Sequence, residues 1–74
     1  MKVWIVENID GEIVVAQVAT DAYNFCRRSI LENEDDIEAV EEFLNELAHS
    51  YSDNRASFGV EGVIWARAMD VISE

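Results

Sequence analysis

The sequence predicts an α+β fold in which two helices cover one face of a three-stranded antiparallel sheet, in the chain order β-β-α-α-β. Three observations predict it. Two runs rich in β-branched residues flank an Asp-Gly turn near the N-terminus, two segments with helical apolar spacing fill the middle, and an apolar run lies near the C-terminus. A chain of 74 residues can build one hydrophobic core, so residues 1–74 are expected to form a single domain.

The first two strands are predicted to pair as a β-hairpin. Their apolar runs cover residues 3–6 and 12–18, and Asp10-Gly11 lies between them. Asp-Gly is a frequent two-residue turn between antiparallel strands. The sheet is therefore expected to begin with this hairpin.

The two helices are predicted from apolar spacing and capping signals. The first is expected over residues 21–32 with Thr20 as its N-cap. The second is expected to begin at the capping candidate Asp35, because Glu38 follows three residues later as in a capping box, and to end near Tyr51. Its apolar stripe consists of Ile37, Val40, Phe43, Leu44, Leu47, Ala48 and Tyr51.

The last element is the ambiguous one. Residues 52–55 are predicted to form a loop, and Gly59 and Gly62 weaken any regular structure in the segment that follows. Residues 63–72 are apolar on both faces of a strand and also give a helical stripe. We predict a strand, because a hairpin alone is marginal and a third strand gives the helices a sheet to cover; a helix remains the alternative.

Charge restricts the classes of partner. The chain has 16 acidic and 5 basic residues, a formal net charge of −11. Such a field repels phosphate and anionic lipid, so direct binding to nucleic acid or membrane is not expected. It attracts basic surfaces, and large basic surfaces are typical of proteins that bind nucleic acid. A basic, nucleic-acid-binding protein is therefore the expected partner.

The acidic charge is concentrated on the second predicted helix. Eight acidic residues and no basic residue occur over 32–46. Along the helix Glu38, Glu42 and Glu46 follow one another at steps of about 6 Å, which resembles the spacing of charges on a nucleic-acid strand. The predicted partner-binding residues are Glu34, Asp35, Asp36, Glu38, Glu41, Glu42 and Glu46. The alternative is that these carboxylates only keep the protein in solution.

The predicted sheet has an apolar face that the helices leave uncovered. The covered face is expected to carry Trp4, Val6, Val14, Ala16, Val18, Ile64, Ala66 and Ala68. The opposite face, with Glu7, Gln17 and Arg67 as its polar interruptions, is predicted to form a homodimer interface or a partner site. The predicted interface residues are Val3, Ile5, Ile13, Val15, Val63, Trp65 and Met69.

Residues that could carry chemistry are few. Cys26 falls on the apolar face of the first helix and has no second cysteine to pair with, so we expect a buried thiol. Glu46 and His49 have the Glu-x-x-His spacing of di-metal bundles, but only one copy is present, and we expect no metal site and no cofactor. We therefore predict that the protein is not an enzyme. The first residues lack a signal-peptide pattern and no apolar run reaches about 20 residues, so a cytoplasmic location is expected.

The layout of the whole chain also resembles a known class of proteins. The opening Met1-Lys2-Val3-Trp4-Ile5-Val6, the hairpin, the acidic helical middle and the apolar C-terminal run are similar to those of small acidic α+β proteins encoded by bacteriophages. The resemblance implies a phage origin and a location in the host cytoplasm. It also implies an inhibitor of a host nucleic-acid-binding protein or defence system. The expected function is therefore that of a DNA or phosphate mimic, and the alternative is an assembly module that works through the apolar sheet face.

Overall fold

The computed structural model describes residues 1–72 and has an α+β fold with the element order β-β-α-α-β-β. The strands are β1 (Lys2–Asn8), β2 (Ile13–Ala16), β3 (Ser57–Val60) and β4 (Ile64–Asp70). The helices are α1 (Ala19–Asn33) and α2 (Ile37–Asp53).

All four strands form one antiparallel sheet in the order β2-β1-β4-β3. The prediction of a three-stranded sheet with the order β-β-α-α-β is therefore wrong, because β3 adds a fourth strand. The β1–β2 hairpin is confirmed, and the ambiguous C-terminal run is a strand. That strand, β4, pairs with β1 over its whole length, from Lys2 opposite Asp70 to Asn8 opposite Ile64.

The strand that the sequence did not predict, β3, is held by its neighbours. Phe58 and Val60 point into the core and are 0% and 1% exposed. On the edge of β3 that faces away from β4, the Gly59 N–H donates to Ser50 Oγ at 3.0 Å and the Ser57 N–H donates to the Asn54 carbonyl at 3.4 Å. Helix α2 and the turn after it thus provide acceptors for two N–H groups of this edge, which would otherwise have to bond to water.

Both helices begin at different residues from those predicted. Helix α1 begins at Ala19, and its N-cap Val18 provides no side-chain hydrogen bond, so Thr20 is not the cap. The N-cap of α2 is Asp36 rather than Asp35, because its carboxylate accepts a hydrogen bond of 3.1 Å from the Glu38 N–H. Both helices also extend further than predicted, α2 continuing to Asp53.

The cap of α2 gives a first testable prediction. Asp36→Ala removes the hydrogen bond to a free N–H of the first turn and is expected to lower the free energy of unfolding by about 1 kcal/mol. Asp35→Ala is the matched control, because it removes the same charge from the neighbouring exposed residue. Urea unfolding followed by circular dichroism measures both variants. Equal losses would contradict the assignment of Asp36 as the cap.

The core lies between the helices and the inner face of the sheet. Its buried residues are Val6, Ala16, Ala22, Cys26, Ile30, Leu47, Phe58, Val60, Ile64 and Ala66. An aromatic cluster closes one side, with the ring of Tyr51 4.6 Å from that of Tyr23 and 4.9 Å edge-on from that of Phe58. Val18, predicted to be covered, is 50% exposed because β2 ends two residues before it.

Candidate protein-binding surfaces

The face of the sheet that points away from the helices is apolar and exposed. We call it the outer face and define it by Val3, Ile5, Glu7, Ile13, Val15, Trp65, Arg67 and Met69. These side chains share one side because strand residues alternate, and the registers pair Ile5 with Val15 and Glu7 with Trp65. Ile13 and Val15 are each 61% exposed. Such a patch is typical of a surface that another molecule covers.

The predicted interface residues lie on the outer face with one exception. Val3, Ile5, Ile13, Val15, Trp65 and Met69 are all on it. Val63 is not, because it belongs to the turn between β3 and β4, where it is half-buried and packs against the core. Because β4 begins at Ile64, the prediction that Val63 lies on the same face as the other six residues is wrong.

The orientation of Trp65 is fixed by β3. Its indole N–H donates to Ser57 Oγ at 3.0 Å, and its ring lies across Gly59, where an added Cβ would be 2.9 Å from Trp65 Cε3. Trp65 stays 41% exposed. A large aromatic side chain that is held in place but accessible loses little conformational entropy on binding, which is a property of interface hot spots.

The sequence pattern does not predict the residues that hold Trp65. Ser57 and Gly59 lie opposite Arg67 and Trp65, in the unpredicted strand β3. A signal was present, since Ser57-Phe58-Gly59-Val60 is followed by Glu61-Gly62 and then by an apolar run. That pattern is compatible with a hairpin whose turn contains glycine.

The outer face also carries a shallow depression. It has a volume of about 380 Å³ and is lined by Ile5, Glu7, Trp65 and Arg67. Two opposite charges and two apolar side chains thus surround one dip near the middle of the sheet. This arrangement suits the side chains of another protein surface.

A second exposed surface lies on α2. We call it the acidic ridge and define it by Glu38, Glu41, Glu42 and Glu46, all of which are exposed. The opposite side of α2 packs on the core through Val40, Phe43, Leu44, Leu47 and Tyr51. The packing fixes the rotation of the helix and so directs the ridge to solvent. Two predicted members of the apolar stripe, Ile37 and Ala48, are exposed instead.

The remaining acidic residues of the predicted binding set divide into two kinds. Glu34 is half-buried, and its Oε1 accepts a hydrogen bond of 3.2 Å from the Asp36 N–H. Asp36 caps α2. Glu34 and Asp36 thus shape the turn between the helices through these hydrogen bonds, and Asp35 is exposed, as Asp36 is.

The cysteine is buried as expected. Cys26 is 0% exposed on α1, and burial raises the pKa of its thiol to about 12. The thiol therefore stays protonated at neutral pH, which disfavours nucleophilic chemistry at this position.

The other chemistry-bearing groups do not converge. Glu46 and His49 are both exposed on α2, and no group of three or more His, Cys, Asp and Glu side chains among residues 1–72 could hold a metal ion. A crevice of about 230 Å³ lies between the β1–β2 turn and the end of α1, where Ile30 and Phe43 line it.

No helix within residues 1–72 has the length and apolar character that crossing a membrane requires.

Comparison with known proteins finds no relative. The chain matches no protein-family model, no curated protein and no solved structure.

Proposed function

We propose that this chain is a small acidic, non-enzymatic binding protein of the phage inhibitor type, and that its target is a basic protein that binds nucleic acid. The charge density of the acidic ridge carries the proposal. Four carboxylates are spread over about 12 Å measured along the helix axis, which is one carboxylate per roughly 3–4 Å. One strand of duplex DNA carries one charge per about 3.4 Å. A groove lined by Lys and Arg for phosphates would meet a similar density of charge on α2.

The charge of the whole molecule supports the same target. A net charge of −11 raises the rate of association with a basic surface and makes binding weaken as salt increases. Glu38, Glu41, Glu42 and Glu46 supply the local attraction on a rigid helix. The target would meet a DNA-like face without any base contact.

The test begins with a protein captured from a nuclease-treated bacterial lysate. Only a captured protein that is basic, released by high salt and displaced by DNA counts as the target. The double variant Glu42→Lys/Glu46→Lys is expected to bind it at least about tenfold more weakly, since it reverses two ridge charges.

The matched control is Glu12→Lys/Glu61→Lys, which makes the same change in net charge at two exposed turn positions. It is expected to weaken binding by much less. Equal losses in the two double variants would contradict a role of the ridge. Failure to retain any protein that DNA displaces would contradict the proposal as a whole.

A second candidate function is favoured by the orientation of Trp65. In this case the protein is an assembly module that docks through the outer face, and the ridge serves only solubility. Binding would then not weaken as salt increases, and it would be insensitive to Glu42→Lys/Glu46→Lys. It would be lost on replacing exposed apolar residues of the outer face such as Ile13 and Val15.

A further inference from the structure

The outer face is nearly neutral in a strongly acidic molecule. The chain has 16 acidic residues, but the outer face holds one of them, Glu7, and one cation, Arg67. The acidic ridge projects from the helix layer on the other side of the sheet. Two copies that approach outer face to outer face thus keep their ridges apart and bring together the least charged surface of each.

The two charges of the outer face are placed so that this face is complementary to the same face of a second copy. Glu7 lies opposite Trp65, and Arg67 lies opposite Ile5 on the adjoining strand. Glu7 and Arg67 are therefore diagonal neighbours on β1 and β4, at about 7–8 Å. A two-fold axis that lies in the plane between two copies, perpendicular to the line from Glu7 to Arg67, exchanges the positions of these two residues between the copies. Each Glu7 then meets the Arg67 of the other copy, which is the reciprocity of an isologous interface.

We propose that the outer face binds a second copy of this chain, forming a homodimer of two stacked sheets with two reciprocal Glu7–Arg67 ion pairs. The apolar side chains around these pairs, including Ile5 and Trp65, would lose their contact with water. The proposal does not depend on the target of the acidic ridge. A dimer would display two ridges on its two outer sides.

The size of the face places the dimer among weak associations. The seven-residue strands β1 and β4 and the four-residue strands β2 and β3, each about 4.8 Å wide and about 3.3 Å long per residue, give a face of roughly 350 Å². This is less than half of the roughly 800 Å² that each partner contributes to a standard interface. We therefore expect a weak dimer that dissociates on dilution.

Salt should act on this dimer in a diagnostic direction. Each copy carries a charge of −11, so the two bodies repel, and the repulsion is screened as the Debye length falls from about 10 Å at 0.1 M to about 3 Å at 1 M salt. Dimerisation is therefore expected to strengthen with salt. Binding of the ridge to a basic target weakens with salt, so failure of either proposal can be told from failure of the other.

Sedimentation equilibrium of the full chain at about 0.1 M and 1 M NaCl tests the proposal. We expect a monomer–dimer equilibrium that is tighter at high salt. Glu7→Arg and Arg67→Glu, made singly, each place like charges across the interface and are expected to weaken the dimer about tenfold at either salt. The double variant Glu7→Arg/Arg67→Glu restores opposite charges and is expected to recover most of that loss.

The control Glu41→Arg changes the net charge as Glu7→Arg does but lies on α2, and it should leave the dimer intact or tighten it slightly. Thermal unfolding of each variant verifies that the fold survives. A monomer at every salt and at protein concentrations up to about 1 mM overturns the proposal, since even a weak specific dimer would then be populated. A dimer that is insensitive to the single charge reversals, or not recovered in the double variant, overturns it equally.

Discussion

Replacing Phe58 with alanine is expected to lower the free energy of unfolding by about 3–5 kcal/mol. Phe58 is 0% exposed, the largest of the fully buried side chains, and it lies edge-on against Tyr51 at 4.9 Å. A domain of this length has a total stability of only about 4–11 kcal/mol. The variant is therefore expected to be close to unfolding at room temperature, which urea denaturation followed by circular dichroism would measure.

Phe58→Leu is the control for this change. Leucine keeps an apolar side chain in β3 and removes fewer carbons than alanine does, so the expected loss is roughly 1–2 kcal/mol. If Phe58→Ala costs no more than Phe58→Leu, the side chain is not in the core. The position of β3 between β4 and α2 would then be wrong as well.

The hairpin and the two faces of the sheet could be predicted because their causes are local. Alternation of side chains along a strand depends only on backbone geometry, so Val6, Ala16, Ile64 and Ala66 are buried as the pattern indicated. The strands on either side of Asp10-Gly11 pair as the turn signal indicated, and Gly11 adopts a positive φ of 84°. Tertiary contacts were not needed for either inference.

The strand β3 could not be predicted with the same means. It has four residues, one of them glycine, and its intrinsic preference for a strand is low. Its hydrogen bonds come from β4 on one side and from Ser50 of α2 on the other. These partners lie outside the four residues of β3, so the local sequence pattern does not predict the fourth strand.

The start of α2 shows a limit of a different kind. Glu34, Asp35 and Asp36 are three consecutive acidic residues that can all accept hydrogen bonds from backbone N–H groups. The capping box favoured Asp35 because Glu38 follows it by three residues. The structure instead places extended backbone at Asp36, directly before the first helical residue, so the cap moves by one position.

The candidate surfaces were predictable only in part. Strand alternation places six of the seven residues of the predicted interface on the outer face, and Val63 is not on it because it lies in the turn before β4. The exposure of the acidic ridge followed from helical spacing. The orientation of Trp65 could not follow, since Ser57 and Gly59 of the missed strand determine it.

The two surfaces lie on opposite layers of the molecule, and the associations proposed for them are expected to respond to salt with opposite sign. Screening favours association of two neutral faces that belong to anionic bodies, and it weakens attraction between the ridge and a basic target. One salt titration of both equilibria therefore separates the two roles. The same reasoning predicts that a dimer would bind a basic target with two ridges at once, provided that the target presents two sites.

The second large effect on stability is expected from Gly59→Ala, at about 3 kcal/mol. A Cβ at this position would collide with the Ile64 carbonyl oxygen and lie 2.8 Å from Trp65 Cα. Both atoms belong to the backbone of the neighbouring chain segment, so they cannot move aside without opening the β3–β4 pairing. The Trp65 ring would also be displaced, which the NMR signal of its indole N–H would report.

The controls are Gly62→Ala and Gly11→Ala. Both glycines have positive φ, 78° and 84°, but no atom lies within 4 Å of a Cβ built on either. Each change is therefore expected to cost only the backbone strain, about 1–2 kcal/mol, and to leave the Trp65 signal in place. If Gly59→Ala costs no more than these controls and does not move that signal, β3 does not support Trp65. The outer face would then lose its ordered anchor, and the case for it as a binding surface would rest on exposure alone.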